Sequence, residues 1–151
     1  MDPSRFQALL DMPAPSHADH LQQFLCTANW MRSAIPDFTS LIAPLSSALG
    51  QVYKRCGKRT KRAAQKIKLK SPFWTEKEID QFHDVKSNIQ NSVTLSHPSG
   101  AKIVCLFCDA SEERSEWIVT QIPSEDDAVE FREQRHKALA FLSGAFKDAS
   151  A

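Results

Sequence analysis

The spacing of apolar residues changes once along this chain of 151 residues, and that change limits the folds open to it. Up to about residue 90, apolar positions recur at intervals of three and four. Beyond the turn signal "HPSG" at 97–100 they run together. The first spacing lines one face of a helix, whereas short continuous runs rich in β-branched and aromatic residues suit strands. The chain is therefore expected to be α+β, with helices first and a sheet after them.

Residues 4–12 read as a short helix, stopped by "PAP" at 13–15. Ser16 is the expected N-cap of the next helix, with Asp19 three residues later as a partial capping box. Leu21, Phe24, Leu25, Ala28, Met31 and Ile35 form its core face, and Pro36 ends it. Gln22, Cys26 and Trp30 lie at i, i+4 and i+8, on a separate stripe. A further helix from Asp37 or Thr39 carries Leu41, Ile42, Leu45 and Leu49 on its apolar face, with Val52 and Tyr53 at its end. Pro44 marks a start or a kink within it. Thr75 and Glu78 form a T-x-x-E capping box ahead of Ile79, Phe82, Val85 and Ile89, which predicts a fourth helix.

After "HPSG", the run "KIVCLFCD" predicts a strand covered on both faces. "EWIVTQI" at 116–122 and "ALAFLSGAF" at 138–146 predict two more, Gly144 being the expected bulge position. A charged loop fills 123–136. Hairpin-like connections make the expected sheet an antiparallel meander.

The net charge of +1 conceals an asymmetry. No acidic residue occurs between Asp37 and Glu76. Within that gap stand Lys54, Arg55, Lys58, Arg59, Lys61, Arg62, Lys66, Lys68 and Lys70. Ten of the nineteen basic residues are left to face all eighteen acidic ones elsewhere. The stretch 54–70 shows little apolar periodicity and reads as a surface loop or a frayed, exposed helix. Two readings stand for it: contact with nucleic-acid phosphates, or a solvated loop. "KRCGKRTKRAAQK" also has the composition of a nuclear-import signal.

The first 15 residues lack a basic region followed by an apolar stretch, and no apolar run reaches membrane-spanning length. Four cysteines without a secretory signal are expected to be reduced thiols in a cell interior, cytoplasmic or nuclear. Cys105 and Cys108 make a C-x-x-C. Residues i and i+3 of a strand point to opposite faces, so the pair is poorly placed to clamp one metal, and a zinc site needs two further ligands. Both are expected to be small buried hydrophobes. Asp109 follows the apolar run. It is either a carboxylate presented at the end of a strand for metal chemistry or a turn-capping residue acting with Ser111. Asp126, Asp127 and Glu130 lie on the 123–136 loop, with no evident reason to converge on it.

"LQQFLCTANWMRSAIPDFTSLIAPLSSAL" resembles the thumb of gypsy-type long-terminal-repeat retrotransposon reverse transcriptases, through Phe24, Leu25, Asn29, Trp30, Arg32, Ile35, Pro36, Phe38, Ala43, Pro44 and Leu45. "FWTEKEIDQFHDVKSNIQNSVTLSHPSG" is similar to the family's segment leading into the tethered ribonuclease H domain. "CLFCDAS" stands where that domain has T-D-A-S on its first strand, and "HKALAFLSGAF" resembles its third. The resemblance implies a thumb-like segment over 1–53, a basic connector over 54–72, and a linking helix with a partial, three-stranded ribonuclease H-like sheet over 73–151. It implies that Asp109 is the first ligand of a Mg²⁺ site whose later carboxylates are not in this sequence. It implies no stably bound cofactor, and no polymerase or nuclease activity from this chain alone. Gln22, Trp30, Lys54, Arg55, Lys58, Arg59, Lys61 and Arg62 are the expected contacts to an RNA–DNA hybrid or duplex DNA. Cys26 replaces the family's thumb glycine, and the turn after "DAS" lacks the family's glycines, so a distorted first hairpin is expected. An open edge at Ile103–Phe107 invites self-association. The alternative function is a repurposed nuclear interaction protein using the basic segment and that edge.

Overall fold

The computed structural model describes residues 3–92 and 94–146. The remaining positions, including the last residues of the 73–151 segment, lie outside the described residues. Five helices precede three strands: α1 Pro3–Leu10, α2 Ala18–Asn29, α3 Phe38–Cys56, α4 Lys61–Ala64, α5 Glu76–Gln90, β1 Lys102–Ala110, β2 Arg114–Pro123 and β3 Lys137–Ala145. The order is the expected α+β one. Two compact units emerge: one of residues up to Met31 together with Ser40–Asn91, the other of Arg32–Thr39 with the residues from Ser92 on.

The first unit is helical. Leu9 of α1, Leu21, Phe24 and Ala28 of α2, Leu45, Ala48 and Val52 of α3, and Phe82, Val85 and Ile89 of α5 are buried. Phe24 meets Phe82 with ring centroids 4.5 Å apart, which joins α2 to α5. α5, grouped with the sheet in the sequence division, packs with α1. Its Thr75 N–H donates to Glu78 Oε2 at 2.8 Å, as the T-x-x-E pattern predicts, and the Thr75 hydroxyl donates to the same oxygen.

Three local expectations for this unit are corrected. His17, not Ser16, caps α2, and it makes no side-chain capping bond. The Ala18 N–H is instead taken by the Ile67 carbonyl at 2.9 Å, while the Ser16 carbonyl accepts from Leu69 N–H. With that donor already satisfied, the Ser16 hydroxyl turns to His17 and His20. α2 also stops at Asn29, before Pro36. Trp30 N–H and Met31 N–H bond three residues back, tightening the turn, and a 3₁₀ turn at Arg32–Ala34 follows. Third, 54–70 is not one uniform loop. α3 continues to Cys56, α4 forms behind a Thr60 cap, Lys66 lies in the turn that closes α4, and residues 67–70 run on with Ile67 and Leu69 inward and Lys68 and Lys70 outward.

The second unit is an antiparallel sheet in the order β1-β2-β3. β1 and β2 pair without interruption from Lys102↔Pro123 to Ala110↔Ser115. The first hairpin is therefore regular rather than distorted: Ser111 N–H donates to the Arg114 carbonyl and Arg114 N–H to the Ser111 hydroxyl. The bulge is not at Gly144, which pairs with Ser115. It lies where Val119 pairs with Ala140 but Thr120 pairs with Ala138, leaving Leu139 extra. Thr39 ties Arg32–Thr39 to β3: its N–H donates to Ser143 Oγ at 3.0 Å and its hydroxyl to the Ser143 carbonyl at 3.0 Å.

β1 differs most from expectation. It is not covered on both faces. Val104 is 59% exposed and Leu106 55%, and Trp117 and Leu142 from β2 and β3 lie exposed on the same face. Cys108 is exposed and Cys105 half-buried, so the pair sits on opposite faces as predicted but is not buried. Periodicity reports a strand's apolar run, not which elements come to cover it.

Candidate nucleic-acid interface

Gln22, Cys26 and Trp30 are all exposed, so the stripe on α2 is a surface and not a core. Trp30 caps the C-terminus of α2. The Arg5 guanidinium stands 5.9 Å from its ring centroid, a cation over a π face. Lys54 and Arg55 close α3, Lys58 and Arg59 lie in the following loop, and Lys61 and Arg62 open α4. All six are exposed.

Of these residues the fold brings two together. Gln22 and Arg59 line one open cleft of about 490 Å³ between α2 and α3, floored by Leu25, Leu49 and Gly50. Tyr53 stands between them. Its hydroxyl donates a short hydrogen bond to Gln22 Oε1, and Arg59 Cζ lies 6.0 Å from its ring centroid. The ring is buried with Ala18, Val52 and Ala64. Burial, and then the charge of Asp19, push the Tyr53 hydroxyl above its ordinary value, so it remains a protonated donor at neutral pH.

Sequence reading assigned Tyr53 only to the end of an apolar face. It also left Lys68 and Lys70 off the contact set. With Arg55 they line a second cleft of about 290 Å³, beside Phe73, over whose ring Arg55 lies at 5.6 Å. The signal for those lysines is the alternation "IKLK", which turns both cations outward from one short run.

Asp109 is the penultimate residue of β1. It lies directly across from Glu116 on β2. The turn is capped by Ser111 without it. Partial desolvation, then the charge and hydrogen bond of Asp37 and the charge of Asp109, push the Glu116 carboxyl up against the opposing Arg114. Asp126 does not converge here. It is buried and accepts from the Arg135 backbone N–H at 2.8 Å and from its guanidinium at 2.7 and 3.0 Å. Among the described residues no group of three or more His, Cys, Asp or Glu side chains is arranged to hold a metal ion. The described residues do not fit a Mg²⁺ site.

No family model matches the chain. It is 27% identical over 142 residues to the retrovirus-related Pol polyprotein from transposon opus of Drosophila melanogaster, which covers 94% of this chain and 13% of that protein. It is 28% identical over 122 residues to the Pol polyprotein of Feline endogenous virus ECE1, covering 80% of this chain and 10% of that one. Its homologues are Pol polyproteins of retrotransposons and retroviruses. The Pol-related chain thus spans about a tenth of these relatives' length. Its fold matches that of the foamy viral protease-reverse transcriptase, solved in complex with RNA/DNA hybrid, with a TM-score of 0.70 at 16% identity over 98% of this chain and 17% of that one. The same viral protein solved with dsDNA gives a TM-score of 0.68. The helices followed by a three-stranded antiparallel sheet thus match the fold of part of that viral protein. No helix among the described residues is long and apolar enough to cross a membrane.

Proposed function

We propose that this Pol-related segment contacts a nucleic-acid duplex, RNA–DNA hybrid or duplex DNA, through the α2 stripe and the basic segment, and is non-catalytic by itself. The observation that carries the reading is the shared cleft, which sets Gln22 of the stripe beside Arg59 of the basic segment. In the same basic segment, Lys54, Arg55, Lys58, Lys61 and Arg62 supply exposed positive charge with no acid nearby in sequence. The solved relatives in fold hold RNA/DNA hybrid or dsDNA, which agrees with the reading. The non-catalytic part rests on Asp109 being the one carboxylate that matches the family's metal-binding motifs, Mg²⁺ being that family's ion.

Fluorescence anisotropy with a labelled hybrid and a labelled DNA duplex, across a salt series, tests the contact. Each neutralised phosphate adds about 0.9 to the slope of log affinity against log salt. Three or more contacts therefore predict a slope of about −3 or steeper, and replacing the six basic residues from Lys54 to Arg62 by Gln should flatten it to about −1. Equal affinity and slope in the two proteins would sink the proposal. Mg²⁺-dependent cleavage of the hybrid that disappears in Asp109→Asn would overturn the non-catalytic part.

A second reading is favoured by the exposed Val104 and Leu106 on an edge strand. In it, the chain is a nuclear interaction protein: the basic segment directs import, and β1 adds a partner strand, including that of a second copy. A tagged chain that distributes identically with and without the charges of 54–62 would count against it.

A further inference from the structure

Thr60 is the only serine or threonine between Tyr53 and Ser71, and it stands in the middle of the basic segment. Lys58 and Arg59 precede it, Lys61 and Arg62 follow it, and all five residues are exposed. Residues 57–60 have no regular structure between the end of α3 and the start of α4. Gly57 opens this stretch with a φ of 70°, and a Cβ built on it would meet nothing within 4 Å. The backbone there stands in open space. Thr60 itself is extended, with φ −88° and ψ 149°. Its Oγ1 accepts from Ala63 N–H at 3.3 Å, which uses a lone pair and leaves the hydroxyl proton free. We propose that Thr60 is a phosphorylation site for a serine/threonine kinase that selects basic substrates, and that the phosphate cancels much of the charge of the basic segment.

The neighbours of the hydroxyl define the class of enzyme. A kinase holds a short extended stretch around the acceptor and reads its side chains. Lys58, Arg59, Lys61 and Arg62 suit carboxylates on such an enzyme, to which their nitrogens give charge-assisted bonds. Lys61 directly after Thr60 excludes a proline-directed kinase, and the absence of acids from 38 to 75 excludes one that reads acidic neighbours. α4 is four residues long, and its buried residue, Ala64, lies beyond Lys61 and Arg62. Drawing those two into an extended path therefore costs little helix. In the transfer, Thr60 Oγ1 attacks the γ-phosphorus of ATP. The new O–P bond forms as the bond from that phosphorus to the bridging oxygen of ADP breaks, and the hydroxyl proton passes to the kinase's catalytic aspartate. The product carries a charge of about −1.5 to −2 and three acceptor oxygens. Set among four cations, those oxygens pair with them in competition with any other anion.

The modification stands apart from the duplex-binding reading, whereas its effect on contact rests on that reading. The full chain is incubated with ATP and a protein kinase C catalytic domain, beside a free peptide of residues 54–66 and a proline-directed kinase. Peptide fragmentation in a mass spectrometer locates the phosphate. The first kinase is expected to modify Thr60 and the second to leave it bare. Thr60→Val should lose the phosphate and Thr60→Ser keep it. Lys61→Gln together with Arg62→Gln should lower kcat/KM about ten-fold, the loss of charge-assisted bonds to the enzyme. No phosphate on Thr60 of the chain, whether or not the peptide takes one, overturns the site. So does an unchanged rate after Lys61 and Arg62 are replaced. In the duplex assay, phosphorylation should flatten the salt slope by about 2, the loss of two contacts at about 0.9 each. A phosphorylated chain with the slope of the unmodified one overturns the charge effect. An unmodified chain that binds no duplex overturns the functional reading and the effect on contact with it, and leaves the phosphorylation of Thr60 standing.

Discussion

Asp126 and Glu116 are two carboxylates in one unit with opposite environments. Asp126 accepts charge-assisted bonds from the Arg135 guanidinium and a further bond from its backbone N–H, and these hold its carboxyl below the usual range. A lowered carboxylate contributes stability above its ordinary pKa and loses it as pH falls through the lowered value. Asp126→Asn is therefore expected to lower the thermal midpoint by several degrees at neutral pH, the gap closing below about pH 4. Glu116 is the reverse. Desolvation and the nearby Asp37 and Asp109 raise it, so its contribution is complete below the ordinary glutamate value and is lost as pH rises through the raised one. Glu116→Gln should raise the midpoint at neutral pH and have no effect near about pH 4. Thermal melts across pH check both signs. None of this was legible in the sequence, where Asp109 looked like a lone carboxylate. Glu116 meets Asp109 through a cross-strand register and Asp37 through the turn ahead of α3, neither of which spacing along the chain encodes.

At the level of elements, the sequence was most informative where a local signal acts alone. The T-x-x-E box placed α5 because a capping box is satisfied within four residues. Apolar spacing placed Phe24 and Phe82 in a core because a helical stripe has few ways to be buried. Phe82→Ala should cost about 3–5 kcal/mol by urea unfolding, since it removes a ring held 4.5 Å from Phe24 and leaves a void in α5's buried face. Thr75→Ala should cost about 1 kcal/mol. Legibility failed where partners are distant. The Ile67 carbonyl that replaces a side-chain cap on α2 comes from about fifty residues away. The Leu139 bulge depends on how β2 and β3 align, and the bareness of β1's outer face depends on what does not cover it. Replacing Leu106 by Lys removes an exposed apolar residue from that face. It should shift any concentration-dependent association seen by analytical ultracentrifugation toward monomer without lowering the thermal midpoint.

For the whole molecule, charge and chain path follow different divisions. Charge follows the sequence, with nine cations gathered between Lys54 and Lys70 and an acidic remainder. The compact units do not follow it, because the second unit draws Arg32–Thr39 out of the midst of the first unit's sequence. The sequence-based division at residue 73 could not anticipate this, since the bonds from Thr39 to Ser143 span 104 positions. Those bonds make the chain hard to divide. A gene fragment beginning at residue 92 carries all three strands but not the eight residues that dock on β3, and a fragment ending at residue 91 carries those eight without the strand that receives them. Neither half is an inheritable module. Recombination or proteolysis at that boundary, which separates helices from strands so cleanly on paper, would leave Thr39 without Ser143 in one product and Ser143 without Thr39 in the other.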